Sequence, residues 1–368
     1  MARSIPDMDK NGQIAALLRD FAAIQTSKQR KWGYQRAAAA ILALEQPIES
    51  LLRPDGTLLK IPNIGPSSTK IILEVLRTGT SATIEDAIAE SGTSAEVERR
   101  RGLRDHALSQ SQVLEALDNQ QLKGPRVEDY HGDLQMHSTW SDGSQTLRDI
   151  VQAGINLGYQ FCAVTDHAYG LKIARGVSMA QLADQHKAID DLNRRHRGRF
   201  RLLKGIEANI RADGTIDMEP PELALLEIVV AAPHSALRTS ADQTRRMLKA
   251  VSAPGVHILG HPRGRKIGAR PGVSADWDRV FKAAARSGVA IEIDGDPSRQ
   301  DLDYDIATRA LDAGCLFALD SDAHATRELA PFAATALAHA RLAGIPPERI
   351  INCWTLERLL EWARSRSG

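Results

Sequence analysis

From residue 131 onward the chain repeats one pattern: a short apolar run that ends in His, Asp or Glu, followed in most cases by apolar positions at helical spacing. The runs are Asp133–His137, Phe161–His167, Arg201–Glu207, Ile228–His234, Val256–His261, Val289–Asp294 and Leu316–His324. Most are near-continuous in Val, Ile, Leu and Ala, as strands buried on both faces of a parallel sheet are, with helices as crossovers. The first differs. Leu134 and Met136 alternate with Asp133, Gln135 and His137, which predicts a short strand placing Gln135 and His137 on one face. Seven such units in series predict an α/β fold, a closed β/α barrel slightly smaller than the eight-stranded one, over residues 131–368. Upstream the period changes. Ile14, Leu17, Leu18, Phe21 and Ile24 keep helical spacing, and Tyr34–Leu44 is rich in helix formers, so residues 11–46 are expected to be helical. The turn Pro62-Asn63-Ile64-Gly65 precedes a helix expected to start near Ser67 and to end at Gly79. Residues 1–85 thus read as a small all-α domain, and residues 86–130, polar and charged, as a connector with one or two helices.

Composition narrows the picture by exclusion. A chain of 368 residues with 43% hydrophobic and 25% charged content is that of an ordinary globular protein. A net charge of +1 commits the whole molecule to neither nucleic acid nor membrane, so an anion site must be a local cluster. No apolar run is long enough to span a membrane, and the polar start Met1–Asp7 lacks the apolar core of a signal peptide. Cys162, Cys315 and Cys353 show no pairing pattern and read as buried thiols in a reducing compartment. A cytoplasmic protein is expected.

In β/α barrels chemistry collects where strands end and loops begin, and that is where the polar residues of each run fall. The candidate metal ligands are Gln135, His137, Asp142, His167, Glu207, His234, His261, Asp322 and His324. Asp142 lies in a Ser-Asp-Gly turn able to fold its carboxylate back toward His137. Imidazole with carboxylate suits zinc, manganese or iron. Nine donors are too many for one ion, so two or three divalent ions are implied, with a carboxylate such as Glu207 bridging. A single histidine after a strand is more often hydrogen-bonded structure than a ligand. Five of the eleven histidines ending apolar runs is a different matter. His106, His131, His186, His196, His257 and His339 lie off the pattern and read as surface or packing residues, His257 keeping a chance of supporting the site from behind. Clustered dications bind phosphate oxygens and acidify a bridging water for in-line attack on phosphorus. Pro262–Arg270 reads as a basic, flexible rim loop in which Arg263, Arg265 and Lys266 are candidate phosphate clamps, the alternative being a solvated loop. Glu207, His234, Asp322, Arg263 and Arg265 form the candidate catalytic set.

The order and spacing of these motifs resemble the PHP (polymerase and histidinol phosphatase) superfamily over about residues 131–365. Asp133-Leu-Gln-Met-His-Ser-Thr and Ala236-Leu-Arg-Thr-Ser-Ala-Asp-Gln-Thr most resemble the PHP domain fused to bacterial X-family DNA polymerases. The resemblance implies a distorted seven-stranded barrel with a trinuclear site. One metal would take Gln135, His137, Glu207 and Asp322, a second Glu207, His234 and His261, a third Asp142, His167 and His324. Gln135 departs from the histidine of many members, and an amide oxygen is the weaker ligand, so the first metal would bind loosely or favour manganese over zinc. Leu59–Gly79 resembles a helix-hairpin-helix and, with residues 11–58, the small N-terminal domain of X-family polymerases. Asn63, Gly65, Ser67 and Lys70 are the candidate DNA contacts, since a Gly-containing turn at a helix N-terminus exposes N–H groups to a phosphate. The alternative is a plain packing turn. Asn63 stands where the family's turn has its first glycine, and the lyase lysine of some relatives falls on Ile71, Lys70 being about 100° round the helix, so lyase activity is not carried over. Roughly fifty connecting residues cannot hold a polymerase palm.

The resulting expectation is a metal-dependent phosphoesterase acting at DNA 3′ ends in repair, as a 3′-5′ exonuclease or 3′ phosphatase, with DNA as partner. Two alternatives stay open: a small-molecule phosphatase of the histidinol-phosphate type, and a non-catalytic DNA-binding scaffold with structural metals. Mixed His and carboxylate donors favour an open, catalytic site over a closed structural one. Oligomeric state is not legible.

Overall fold

The computed structural model describes residues 8–366; the polar start read above lies outside them. The chain divides into two compact units, one running to Asn119 together with Ile267–Ala269, the other comprising the remainder.

The second unit is built on one parallel sheet whose strands follow each other in chain order: β1 (Phe161–Val164), β2 (Arg201–Asn209), β3 (Ile228–Ala232), β4 (Ile258–Leu259), β5 (Ala290–Asp294) and β6 (Leu316–Asp320). Alternation sorts the side chains. Ala163, Leu203, Val230, Ile258, Ala290 and Ala318 form one buried cluster, closed off by Ile351, Trp354 and Leu359 of the C-terminal segment. Cys162, Val164 and Leu202 face the other way, against Leu147, Ile150 and Val151 of helix Leu147–Asn156 and Ile189 and Leu192 of helix Met179–Arg195. Both faces are covered, as the unbroken apolar runs require.

The seventh strand is a correction in detail. Residues 133–137 form no regular ladder, yet they bridge the gap between β1 and β6. Ala163 N donates to Asp133 O at 2.9 Å, Thr165 N to Met136 O at 2.8 Å, and His137 N to Ala323 O at 2.9 Å. Side chains take the other donors: Leu134 N reaches Asp320 Oδ1 at 2.8 Å and Met136 N reaches Thr165 Oγ1 at 3.0 Å. The segment is therefore held partly by carbonyls and partly by side-chain oxygens where a regular strand pair would use carbonyls throughout, giving six regular strands and one distorted one.

In the first unit, helices Lys10–Ile24, Lys28–Leu42 and Pro66–Thr78 enclose Ile14, Leu18, Ala38, Ile41, Ile72 and Val75. The last of these ends at Gly79 with φ 82°, the left-handed conformation that favours glycine. The stretch expected as a connector is more structured than polarity suggested. It holds helices Ala82–Ser91, Ser94–Gly102 and Gln110–Asp118, and Ile88 and Val97 enter the same buried cluster. Arg101 pairs with buried Asp20 at 2.7 Å, and Arg104 pairs with it too, so these two arginines of the charged stretch form an internal brace. Such a carboxylate is tolerated in the interior only because two guanidiniums meet it.

Candidate metal centre

The ends of several strands deliver donors to one place. Glu207, on β2 and essentially buried, is the hub. Its Oε1 lies 2.9 Å from His261 Nε2 and 3.3 Å from His234 Nε2; its Oε2 lies 2.9 Å from His167 Nδ1 and 3.4 Å from His137 Nε2. Asp322 Oδ1 lies 3.0 Å from His137 Nε2. Asp142 Oδ1 lies 3.5 Å from both His167 Nε2 and His324 Nε2. The donor atoms fall into three overlapping groups: His137, Glu207, Asp322; His167, Glu207, His234; and His137, Asp142, His167, His324. Gln135 is fully buried, and its Oε1 stands 3.2 Å from where a Cβ on Gly260 would be, so the absence of that side chain leaves the amide its space.

The residues fit divalent metal ions. Donors about 2.1 Å from a shared ion stand roughly 3.0–3.4 Å apart in octahedral or tetrahedral arrangement, the spacing found here. The contact between His167 Nδ1 and Glu207 Oε2 is short, but neither atom has a hydrogen-bond partner, as when both aim at a third point. His137 Nδ1, His261 Nδ1 and both polar atoms of the Gln135 amide are likewise buried without partners among the described residues. Groups of this kind left unsatisfied are rare and costly.

The electrostatics state the same demand. Burial alone would raise the Glu207 carboxyl, yet the His167 and His234 imidazoles outweigh it and hold the group well below the usual range. Burial opposes charge on His167, but Glu207 pushes it up to about 9; on His324 the bond to Asp142 does the same, to about 9. The carboxylates thus call for positive charge, which imidazolium or a dication satisfies. Burial and the charge of Arg299 lower His261, and Glu207 offsets this only in part.

A backbone frame aims these groups. Glu292 accepts from the His261 N–H, Asp133 Oδ1 from Gln135 N at 3.0 Å, and Asp166 from Ser138 N at 2.8 Å, the last also taking the hydroxyls of Ser138 and Ser141. His234 is steered by Asn209, whose Oδ1 is 3.3 Å from Nδ1.

The rim loop is a correction. Arg263 binds Asp301 at 2.8 Å and Asp303 at 2.7 Å with its side chain largely covered, and Arg265 donates to the carbonyls of Arg299 and Gln300 at 2.8 and 2.6 Å. Neither is presented as a free phosphate clamp. Both fasten the loop after β5, and it is Arg299 on that loop that reaches the centre, 3.2 Å from Asp322 Oδ2 and 3.5 Å from Asp294 Oδ2. Arg299 was missed because nothing local marks it; the signal was the pair of carboxylates, Glu292 and Asp294, inside an apolar run. His257 is also resolved: Nδ1 accepts from Val229 N at 3.0 Å and Nε2 meets Ala363 O at 3.0 Å, a brace within the barrel wall.

In the first unit, Asn63, Gly65, Ser67 and Lys70 all lie exposed on the turn and first helical turns of Pro66–Thr78. Asn63 has φ 66°, a conformation asparagine tolerates, which explains how it replaces glycine there. A Cβ on Gly65 would meet nothing within 4 Å, so the backbone is open to an approaching group.

A parallel barrel with a His and carboxylate cage at its C-terminal rim is that of a metal-dependent hydrolase. Residues 9–81 match the helix-hairpin-helix domain model. DNA polymerase/3′-5′ exonuclease PolX of Bacillus subtilis is 36% identical over 227 residues, 61% of this chain; the chain spans only 40% of that protein's length. Probable phosphatases of Enterobacter sp. (30% identity over 248 residues) and Escherichia coli (YcdX, 29% over 249) are matched over 64% of this chain and 95% of their own. A solved histidinol phosphate phosphatase from Lactococcus lactis, complexed with zinc, L-histidinol and phosphate, is 18% identical with a TM-score of 0.45, covering 58% of this chain and 94% of that one. The chain belongs to the PHP superfamily of phosphoester hydrolases and carries an X-polymerase-like helix-hairpin-helix domain.

Proposed function

We propose that this metal-dependent phosphoesterase acts at DNA 3′ ends, removing nucleotides or a terminal phosphate. The observation that carries the hydrolytic part is the convergence of four imidazoles on the two oxygens of Glu207. The DNA part is supported by the exposed helix-hairpin-helix turn and by the similarity to an exonuclease-bearing polymerase.

In this reading Gln135, His137, Glu207 and Asp322 hold one ion, Glu207, His234 and His261 a second, and Asp142, His167 and His324 a third. Bound manganese, zinc or iron supplies positive charge for the phosphate oxygens and acidifies the attacking water. The chain's own contribution is orientation and charge. The Arg299 side chain is largely covered, and burial opposes its charge, but Asp322 and Asp294 hold the guanidinium protonated. It takes the role expected of Arg263 and Arg265, steadying a phosphate or leaving oxygen, and those two act through it by fixing its loop. Gly65, with the N–H groups at the start of helix Pro66–Thr78, and Lys70 would receive a backbone phosphate of the same strand.

A second reading is favoured by the near-full coverage of the probable phosphatases: a small phosphomonoester as substrate. One assay separates them. A 5′-labelled primer, with and without a 3′ phosphate, and histidinol phosphate are each incubated with wild type and His234→Ala. The DNA reading expects primer shortening or loss of its 3′ phosphate, abolished by the substitution; phosphate release from histidinol phosphate with an untouched primer would replace it. Silence on both substrates with all three metals would favour the scaffold alternative.

A further inference from the structure

Helix Lys28–Leu42 buries only Ala37, Ala38 and Ile41, and of its first nine residues all but Tyr34 are exposed. Those nine include Lys28, Arg30, Lys31 and Arg36, and no Asp or Glu occurs anywhere in the helix. Three cations at a helix N-terminus oppose the macrodipole, which favours acids there, so stability does not explain them. The ion pairs of this unit gather elsewhere, on Asp20, Glu85 and Glu96.

Amid these charges Trp32 is 59% exposed, the one aromatic among the exposed large hydrophobic side chains of the described residues. Arg36 lies over its ring, guanidinium 4.4 Å from the centroid, and also donates to Asn63 Oδ1. One arginine therefore joins the indole to the turn that precedes helix Pro66–Thr78.

Resting on the DNA reading above, we infer that Trp32, held beneath Arg36, is a stacking platform for an unpaired base of the DNA strand whose backbone follows Lys28, Arg30 and Lys31. The charge calls for a polyanion, and a flat, exposed, cation-backed indole calls for a flat π partner; unpaired nucleotides offer both. A duplex base is already stacked and cannot reach the ring. A membrane surface would need an apolar stripe, and this helix face offers one indole. The platform thus gives the protein a preference for ends with an unpaired tail.

The test uses the full chain in EDTA, with fluorescence anisotropy on a blunt duplex and on the same duplex bearing a single-stranded tail. Wild type should bind the tailed duplex more tightly. Trp32→Ala should weaken tailed binding roughly tenfold and leave blunt binding unchanged, while Trp32→Phe keeps most of the affinity. Because Trp32 is exposed, the circular dichroism of both variants should match wild type. Equal affinity of wild type for the two duplexes, an unaffected Trp32→Ala, or displacement by heparin as effective as by a single-stranded oligonucleotide would each overturn the inference while leaving DNA binding standing. Binding to neither duplex would overturn the DNA reading with it.

Discussion

Glu207 is the residue on which the centre turns, because its two oxygens are shared among His137, His167, His234 and His261. Glu207→Gln keeps the shape and removes the charge. Metal affinity should fall by at least roughly 10- to 100-fold, measured by titration with a fluorescent chelator. Arg299 makes a separate prediction. Arg299→Ala should lower kcat with metal content kept, whereas Arg299→Lys, a point charge without the fork, should recover only part of it; steady-state kinetics beside metal analysis reads both. Away from the centre, His257 makes a prediction about stability. Burial lowers its pKa to about 4, and its Nδ1 must stay unprotonated to accept from Val229 N. An unfolded histidine titrates near 6.5, so the folded state prefers the neutral ring. That contribution is full above about pH 6.5 and is lost as pH falls toward 4, amounting to about 3 kcal/mol. Urea unfolding at pH 7 and pH 4.5 should show a smaller drop in His257→Gln than in wild type.

At the scale of elements, the sequence spoke most clearly where a period persists. The runs ending in His167, Glu207, His234, Asp294 and Asp322 are strands with their polar residues at the C-terminal ends, and both faces are covered as continuous Val and Ile demand. That the candidate ligands would cluster was legible for the same reason: topology alone sends those ends to one rim. Three things were not. The Asp133–His137 segment alternates like a strand, but Asp320 and Thr165 capture its N–H groups, and no local pattern reveals partners that lie outside the segment, Asp320 nearly two hundred residues on. Arg263 and Arg265 looked like free loop cations because Asp301 and Asp303, which neutralise them, lie some forty residues on. Polarity misled at residues 86–118 too, where charged helices hide Ile88 and Val97 on one face. The Asp142 turn offers a test at this scale. A Cβ on Gly143 would stand 2.3 Å from the His137 carbonyl oxygen, so Gly143→Ala must displace the turn that carries Asp142. The variant should lose about one equivalent of metal, seen by mass spectrometry of the native protein, and should melt earlier than wild type by calorimetry.

For the whole molecule, the proposed function gives the two units separable tasks. Among the described residues no helix is long and apolar enough to cross a membrane. In the proposed reading, hydrolysis belongs to the barrel rim and nucleic-acid contact to exposed positions of the first unit. Removing a metal donor should therefore abolish turnover of a labelled primer while leaving its affinity for the protein largely intact. The claim beneath all of this is that the rim holds a cluster of cations, and elemental analysis of the purified full chain addresses it most directly. The account predicts two or three equivalents of manganese, zinc or iron per chain in wild type, falling by about one in His234→Ala. Less than one equivalent in wild type, after purification without chelators and incubation with each metal, would contradict it.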